Sequence, residues 1–236
     1  EKVVTKDALL AEMEFKSKEI DGGRQFWEQK ARSMMEKITF RNHKEVLEEF
    51  GPGPHHVKLT FEFQSSPVHE SILLELAPLD SMPHTIHTFL QLIQKKSLAD
   101  GTMILAREHI LVGGPVDAHD ADNNAALEQR MLQEGYFPNG AMLFREYSSD
   151  YPHVEYTFGF NQIGGPIFYI NLQDNTELHG PRYIEEAGYK EGDPCFAKIV
   201  EGMDVIQRIV GMPKVGDDSL ESAVYIVDSH VVNITA

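Results

Sequence analysis

The sequence of 236 residues contains one cysteine, Cys195. An intramolecular disulfide is thereby excluded, as is any zinc or iron–sulfur site that needs several thiolates. Long apolar runs are missing too: none approaches the roughly 18 consecutive apolar residues of a bilayer-spanning helix, so no membrane insertion is expected. Cations are scarce. Lys and Arg number 21 against 37 Asp and Glu, a formal net charge of −16 with the 11 histidines neutral. Phosphates would be repelled and no basic stripe compensates, which argues against a nucleic-acid partner. Position 1 holds Glu1 instead of Met, so a mature product or an excised fragment is expected. Asn233-Ile234-Thr235 fits the N-glycosylation acceptor pattern. A secretory route is therefore open and the compartment unassigned. What is present is a hydrophobic content of 42%, enough for a substantial core.

Residues 1–50 are rich in Glu, Lys, Met, Ala and Gln, and read as helical. Leu9, Leu10, Met13 and Phe15 form an incomplete apolar stripe that Asp21-Gly22-Gly23 interrupts. A second helix is expected over 24–38, where Phe26, Ala31, Met34, Met35 and Ile38 recur at three- and four-residue spacing, with Trp27 as a packing anchor. Asn42 followed by Glu45 reads as a capping box that starts a short helix over 44–50. Gly51-Pro52-Gly53-Pro54 then marks a boundary. Residues 1–54 are expected to be a helical extension and 55–236 the main domain.

Beyond the boundary the period falls to two. Val57, Leu59, Phe61 and Phe63 alternate with Lys58, Thr60 and Glu62, a half-buried strand. A second strand is expected over 71–76, with 65–69 as the hairpin connection. Pro83 opens a helix carrying Ile86, Phe89, Leu90 and Ile93. Short strands are expected over 103–105, 110–112, 141–144, 156–160, 168–172, 196–200 and 222–232, and a helix over Met203–Val210. Residues 117–124 read as a loop, and 128–134 as one or two helical turns. About eight short strands without strand–helix alternation favour a mainly β fold, a closed or nearly closed barrel.

Four stretches resemble the cyclophilin family of peptidyl-prolyl cis-trans isomerases. They are Ile72-Leu73-Leu74-Glu75-Leu76 with Pro83 to Phe89; Asp100-Gly101-Thr102 with Val112-Gly113-Gly114; Gly164-Gly165-Pro166-Ile167-Phe168-Tyr169-Ile170-Asn171; and Phe196-Ala197-Lys198-Ile199-Val200-Glu201-Gly202-Met203-Asp204-Val205-Ile206. The resemblance implies an eight-stranded antiparallel barrel capped by two helices. It also implies an outer groove for a proline-containing peptide or protein segment, and isomerisation without a cofactor. An arginine and an apolar cup would favour the twisted amide over the planar one, against a barrier of ~18–20 kcal/mol.

The same resemblance exposes departures. Between Gly101 and Gly113 the chain is two residues shorter than the family pattern. Aligning on Thr102 puts Ala106 at the arginine's place, and aligning on the glycine pair puts Ile104 there. Neither side chain can donate a hydrogen bond. Arg107, in the connecting turn, is the one candidate catalytic residue. The substrate-binding set implied by the family is His109, Ile110, Val112, Phe160, Gln162, Ile167, Tyr169, Glu177, Leu178 and His179. In it His109 replaces a phenylalanine, Val112 and Ile167 replace glutamines, and Glu177 falls near a tryptophan. An additional stretch over 181–192 lies where the family places a groove histidine.

Other clusters have plain structural readings. His109, His179, Glu177 and Asp174 show no metal-ligand spacing, so no metal is expected. The acidic stretch 117–124 lacks the glycine and final glutamate of a calcium loop. Residues 171–180 are rich in side chains that bond their own backbone, giving either an ordered loop or a ligand wall. Tyr147, Tyr151, Tyr156 and Phe160 with Pro152 could receive an extended peptide or belong to the core. Cys195 is expected to be a buried small hydrophobe. Three functions stay open: a binding module with weak or no prolyl isomerase activity, a working isomerase with a rearranged groove, or a small-molecule or glycan-directed activity on the same barrel.

Overall fold

A computed structural model describes residues 23–134, 142–161, 167–184, 189–216 and 218–232. The chain enters on helix α1 (Gly23–Phe50). It continues through β1 (His56–Phe63), β2 (Ser66–Leu76), α2 (Pro83–Gln94), β3 (Thr102–Ala106), β4 (Ile110–Gly114) and α3 (Ala121–Glu134). Next come β5 (Thr157–Phe160), β6 (Phe168–Asn171), the one-turn α4 (Thr176–His179) and a hairpin of β7 (Arg182–Ile184) and β8 (Tyr189–Glu191). β9 (Cys195–Glu201), α5 (Met203–Val210), β10 (Lys214–Val215) and β11 (Ser219–Val232) complete it. Among the described residues no helix is long and apolar enough to cross a membrane.

Eight strands close a barrel in the order β1-β2-β9-β5-β6-β4-β3-β11, sealed by antiparallel pairing of β11 with β1. β10 lies outside on β11, and β7–β8 form a separate two-stranded sheet. The period-two pattern of β1 is realised: Val57, Leu59, Phe61 and Phe63 face the core at 0–2% exposure. Inside the barrel Phe160 stacks on Phe196 with centroids 4.5 Å apart, and Phe89 of α2 packs on Phe196 at 4.9 Å. α2 and α5 each bury an apolar face on the barrel, the latter through Val205, Ile206 and Ile209.

Several local expectations are corrected. α1 is one unbroken helix where a break near residue 38 and a new cap at Asn42 were expected. Asn42 is buried mid-helix and its amide donates to His84 Nδ1 at 2.8 Å, so the polar side chain is satisfied by α2 and not by its own backbone. Further polar contacts fix α1 to its neighbours: His43 to Asp80 at 2.7 Å and His87 to Glu45 at 3.0 Å. Trp27 is buried while Phe26 is exposed. β2 starts at Ser66, so the turn is tighter than 65–69. α3 starts inside the expected 117–124 loop, because Asp120 Oδ1 accepts the Asp122 and Asn123 amides and caps it. Residues 142–144 carry no strand. The 181–192 stretch supplies the β7–β8 hairpin. Residues 1–22 and Asn233 lie outside the described residues.

Candidate functional site: an apolar face with a histidine and aspartate rim

β3, β4 and β6 are consecutive neighbours in the barrel, with Val112 opposite Tyr169 and Leu105 opposite Val112. Side chains alternate across a strand, so one set enters the core and the other forms an outer face. Ile110, Val112 and Tyr169 form a cluster separate from the main core, with Ile104, Leu105 and Ile167 packed against it. Ala106 belongs to the inner core at 0% exposure. Of the two positions at which the family arginine could stand, Ala106 therefore points inward and Ile104 joins the outer cluster. Arg107 sits in the β3–β4 turn, exposed, with its amide donating to the Ile110 carbonyl at 2.9 Å.

A polar network borders this face. The Tyr169 hydroxyl donates to Asp193 Oδ2 at 3.1 Å, and His153 Nδ1 lies 3.2 Å from the same hydroxyl. His153 Nε2 is 3.0 Å from the Asp193 carbonyl, and His179 Nδ1 is 3.2 Å from Asp193 Oδ2. The rings of His109 and His179 are nearly parallel, with centroids 6.0 Å apart. A neutral His153 that donates through Nε2 keeps a lone pair on Nδ1. The single Tyr169 proton can then serve Asp193 or His153, not both. Burial lowers the pKa of His153, assisted by the nearby His179, although the Asp193 carbonyl opposes it. Burial also lowers that of His109 and drives that of Tyr169 upward, the latter helped by the Asp193 charge. The Cys195 thiol is pushed up to about 12 by burial, and its Sγ faces the Pro152 carbonyl at 3.4 Å. Tyr169 and Cys195 are therefore protonated near neutrality, and neither is an ionised nucleophile.

Two atoms of the network have no hydrogen-bond partner although both are buried: His179 Nε2 and Asp193 Oδ1. Asn175 braces the assembly from α4's start, donating its amide to the His109 carbonyl and to Asn171 Oδ1, each at 2.8 Å. Asp174 Oδ1 accepts the Thr176 amide at 3.0 Å, so the 171–180 segment is an ordered turn as well as a wall of the site.

The structure gathers His109, Ile110, Val112, Ile167, Tyr169 and His179 in this region. Phe160 lies apart from them: at 1% exposure it packs on Phe89 and Phe196 inside the barrel, since its strand position faces inward. Glu177 and Leu178 are exposed on α4. Gln162 lies outside the described residues. Sequence reasoning did not single out His153 and Asp193. The signal available was the position of Asp193 between the added hairpin and the Cys195-Phe196 strand start. Among the described residues no group of three His, Cys, Asp or Glu side chains is arranged to hold a metal.

A closed eight-stranded antiparallel barrel with two capping helices, carrying an outer face on β3, β4 and β6, defines a class of protein. The family model "Cyclophilin type peptidyl-prolyl cis-trans isomerase/CLD" matches residues 59–231, and the chain belongs to that family. Two crystal structures of a cyclophilin type peptidyl-prolyl cis-trans isomerase from Cryptosporidium parvum share the fold. One matches with TM-score 0.55 at 12% identity, over 77% of this chain and 99% of its own. The other, determined in the presence of the dipeptide Ala-Pro, matches with TM-score 0.54 at 12% identity, over 76% and 99%. No curated protein matches the chain in sequence.

Proposed function

We propose that this chain is a peptide-binding member of the cyclophilin family with weak or no prolyl isomerase activity. On this reading residues 1–54 are an extension and 55–236 the binding domain. One observation carries the proposal. β3 reads Thr102-Met103-Ile104-Leu105-Ala106, and the residues it adds to the outer cluster beside Val112 and Tyr169 are Ile104 and Leu105, both aliphatic. Twisting a prolyl amide requires a donor at the developing pyramidal nitrogen, and a stabilising donor is typically worth ~2.7–4 kcal/mol of barrier. Neither side chain supplies one. Binding of an extended, proline-containing segment needs apolar contact and a few hydrogen bonds, which the face and its rim provide. The neighbour determined with Ala-Pro supports that class of ligand.

A protease-coupled assay with proline tetrapeptides tests the proposal. The expected result is a cis-to-trans rate close to the uncatalysed one, together with saturable binding of the peptide. Strong acceleration that Arg107→Ala abolishes would establish instead an isomerase whose turn has been rebuilt to present Arg107.

A further inference from the structure

The geometry points to a guanidinium subsite on the groove rim, built by Asp193 and His179, so that the bound segment presents an arginine side chain there. This rests on the peptide-binding reading above. The first observation is a buried carboxylate with one unpaired oxygen. The Asp193 side chain is 8% exposed, and it contacts His179, which carries a charge only when protonated. A buried carboxylate demands compensation, and one oxygen here has none: Oδ2 takes Tyr169 and His179, while Oδ1 has no partner. Arg145 donates to the Gly192 carbonyl at 3.3 Å, one residue before Asp193, while Oδ1 stays without a hydrogen bond.

The second observation is the orphaned ring nitrogen. When a neutral His179 donates through Nδ1 to Asp193, its Nε2 is an acceptor. The site then holds two acceptors and no matching donor. A ligand that satisfies both must carry at least two N–H groups. A proline ring carries none, so this rim is chemically unsuited to the pyrrolidine alone.

The third observation selects among donors. The neighbouring surfaces are aromatic: the His179 ring lies 4.7 Å from Tyr169 and 6.0 Å from a nearly parallel His109, centroid to centroid. A planar, weakly hydrated guanidinium stacks on such rings and presents its donors in one plane, whereas an ammonium does neither. The formal net charge of −16 further favours a cationic ligand over a neutral or anionic one.

The test is a binding titration followed by heteronuclear NMR on the whole chain. The probes are acetylated dipeptide amides Ala-Arg, Ala-Lys, Ala-citrulline and Ala-Pro. The expected result is that Ala-Arg binds about tenfold or more tightly than Ala-citrulline, its uncharged isostere. Shifts would centre on His109, Tyr169, His179 and Asp193, and the preference would weaken with salt. Ala-Lys should fall between the two. Asp193→Asn should remove the preference for arginine over citrulline, and the wild-type comparison stands if that variant does not fold. Equal affinity for Ala-Arg and Ala-citrulline would overturn the subsite, as would equal affinity for Ala-Lys and Ala-Arg. Binding of Ala-Pro without any binding of Ala-Arg would overturn the subsite and leave the peptide-binding reading standing. Binding of none of the four would overturn both.

Discussion

Gly159 lies directly beneath the ring of Tyr169: a Cβ built on Gly159 would stand 2.6 Å from Tyr169 Cζ and 2.7 Å from its hydroxyl oxygen. The two residues are cross-strand partners on β5 and β6. The missing side chain of one is thus the space that lets the other reach Asp193. Gly159→Ala should destabilise the chain by about 1–3 kcal/mol through overpacking. It should also displace the tyrosine hydroxyl from the carboxylate. Urea unfolding of Gly159→Ala, Tyr169→Ala and the double variant checks this. The double variant should be more stable than the sum of the single losses allows, because removing the ring removes the clash.

Glu146 should prove a structural residue. Its two carboxylate oxygens accept the amides of Thr85 at 2.7 Å and His84 at 3.1 Å, at the start of α2. Met82, the helix's own cap residue, offers no side-chain bond there. A carboxylate from a distant loop therefore satisfies two orphan donors and meets the positive end of the helix dipole. Glu146→Ala should cost about 1–2 kcal/mol. The check is urea unfolding followed by far-ultraviolet circular dichroism, with Glu146→Gln expected to lose less.

Acidification should loosen α1. The pKa of His84 falls to about 4, chiefly by burial and also through the charges of His87 and Arg41. Its ring accepts from Asn42 and stacks on Phe144 at 4.2 Å. The folded chain thus resists a proton that the unfolded chain binds near the ordinary histidine value of 6.5. Stability is complete above that value and is lost as pH falls toward the folded pKa. The loss is up to about 3 kcal/mol. His87 adds to it with the same sign, its burial outweighing the opposing pull of Glu45. Trp27, the single tryptophan, is buried on the same helix, so its emission reports the change. A red shift with decreasing pH that His84→Gln reduces is the expected result.

The barrel itself was readable from local pattern, because the alternation of Val57, Leu59, Phe61 and Phe63 is enforced by burial of one face of one strand. The helix Met203–Val210 was readable for the same reason, with Val205, Ile206 and Ile209 buried. α1 was not. Asn42 with Glu45 has the local form of a helix start, and only the ring of His84, 42 residues away, converts Asn42 into an interior residue. The rim was illegible on similar grounds. His153, Tyr169, His179 and Asp193 come from a loop, a strand, a one-turn helix and the segment after a hairpin, at no regular spacing. What could be read was that neither Ile104 nor Ala106 carries a hydrogen-bond donor; the polar groups beside the face required the fold.

Asn175 should be costlier to lose than its loop position suggests. Its amide holds both the β3–β4 turn, at the His109 carbonyl, and the Asn171 side chain, while its own N–H donates to the His153 carbonyl at 2.7 Å. Asn175→Ala should cost about 1–3 kcal/mol, since it leaves the buried Asn171 Oδ1 without a donor and leaves the His109 carbonyl with the Leu172 amide alone. Hydrogen exchange at residues 107–110 should accelerate in the variant, while exchange in β1 and β11 should not.

The seal between β1 and β11 makes the opening strand of the barrel wait for the closing one. Residues 56 and 232 are direct partners, so that edge of β1 stays open until nearly the whole domain has left the ribosome. Folding is then governed by contacts between distant parts of the chain and is slow for its size. During synthesis the bare edge of β1 is a place for misassembly with another nascent chain, and so a natural point of attachment for a chaperone.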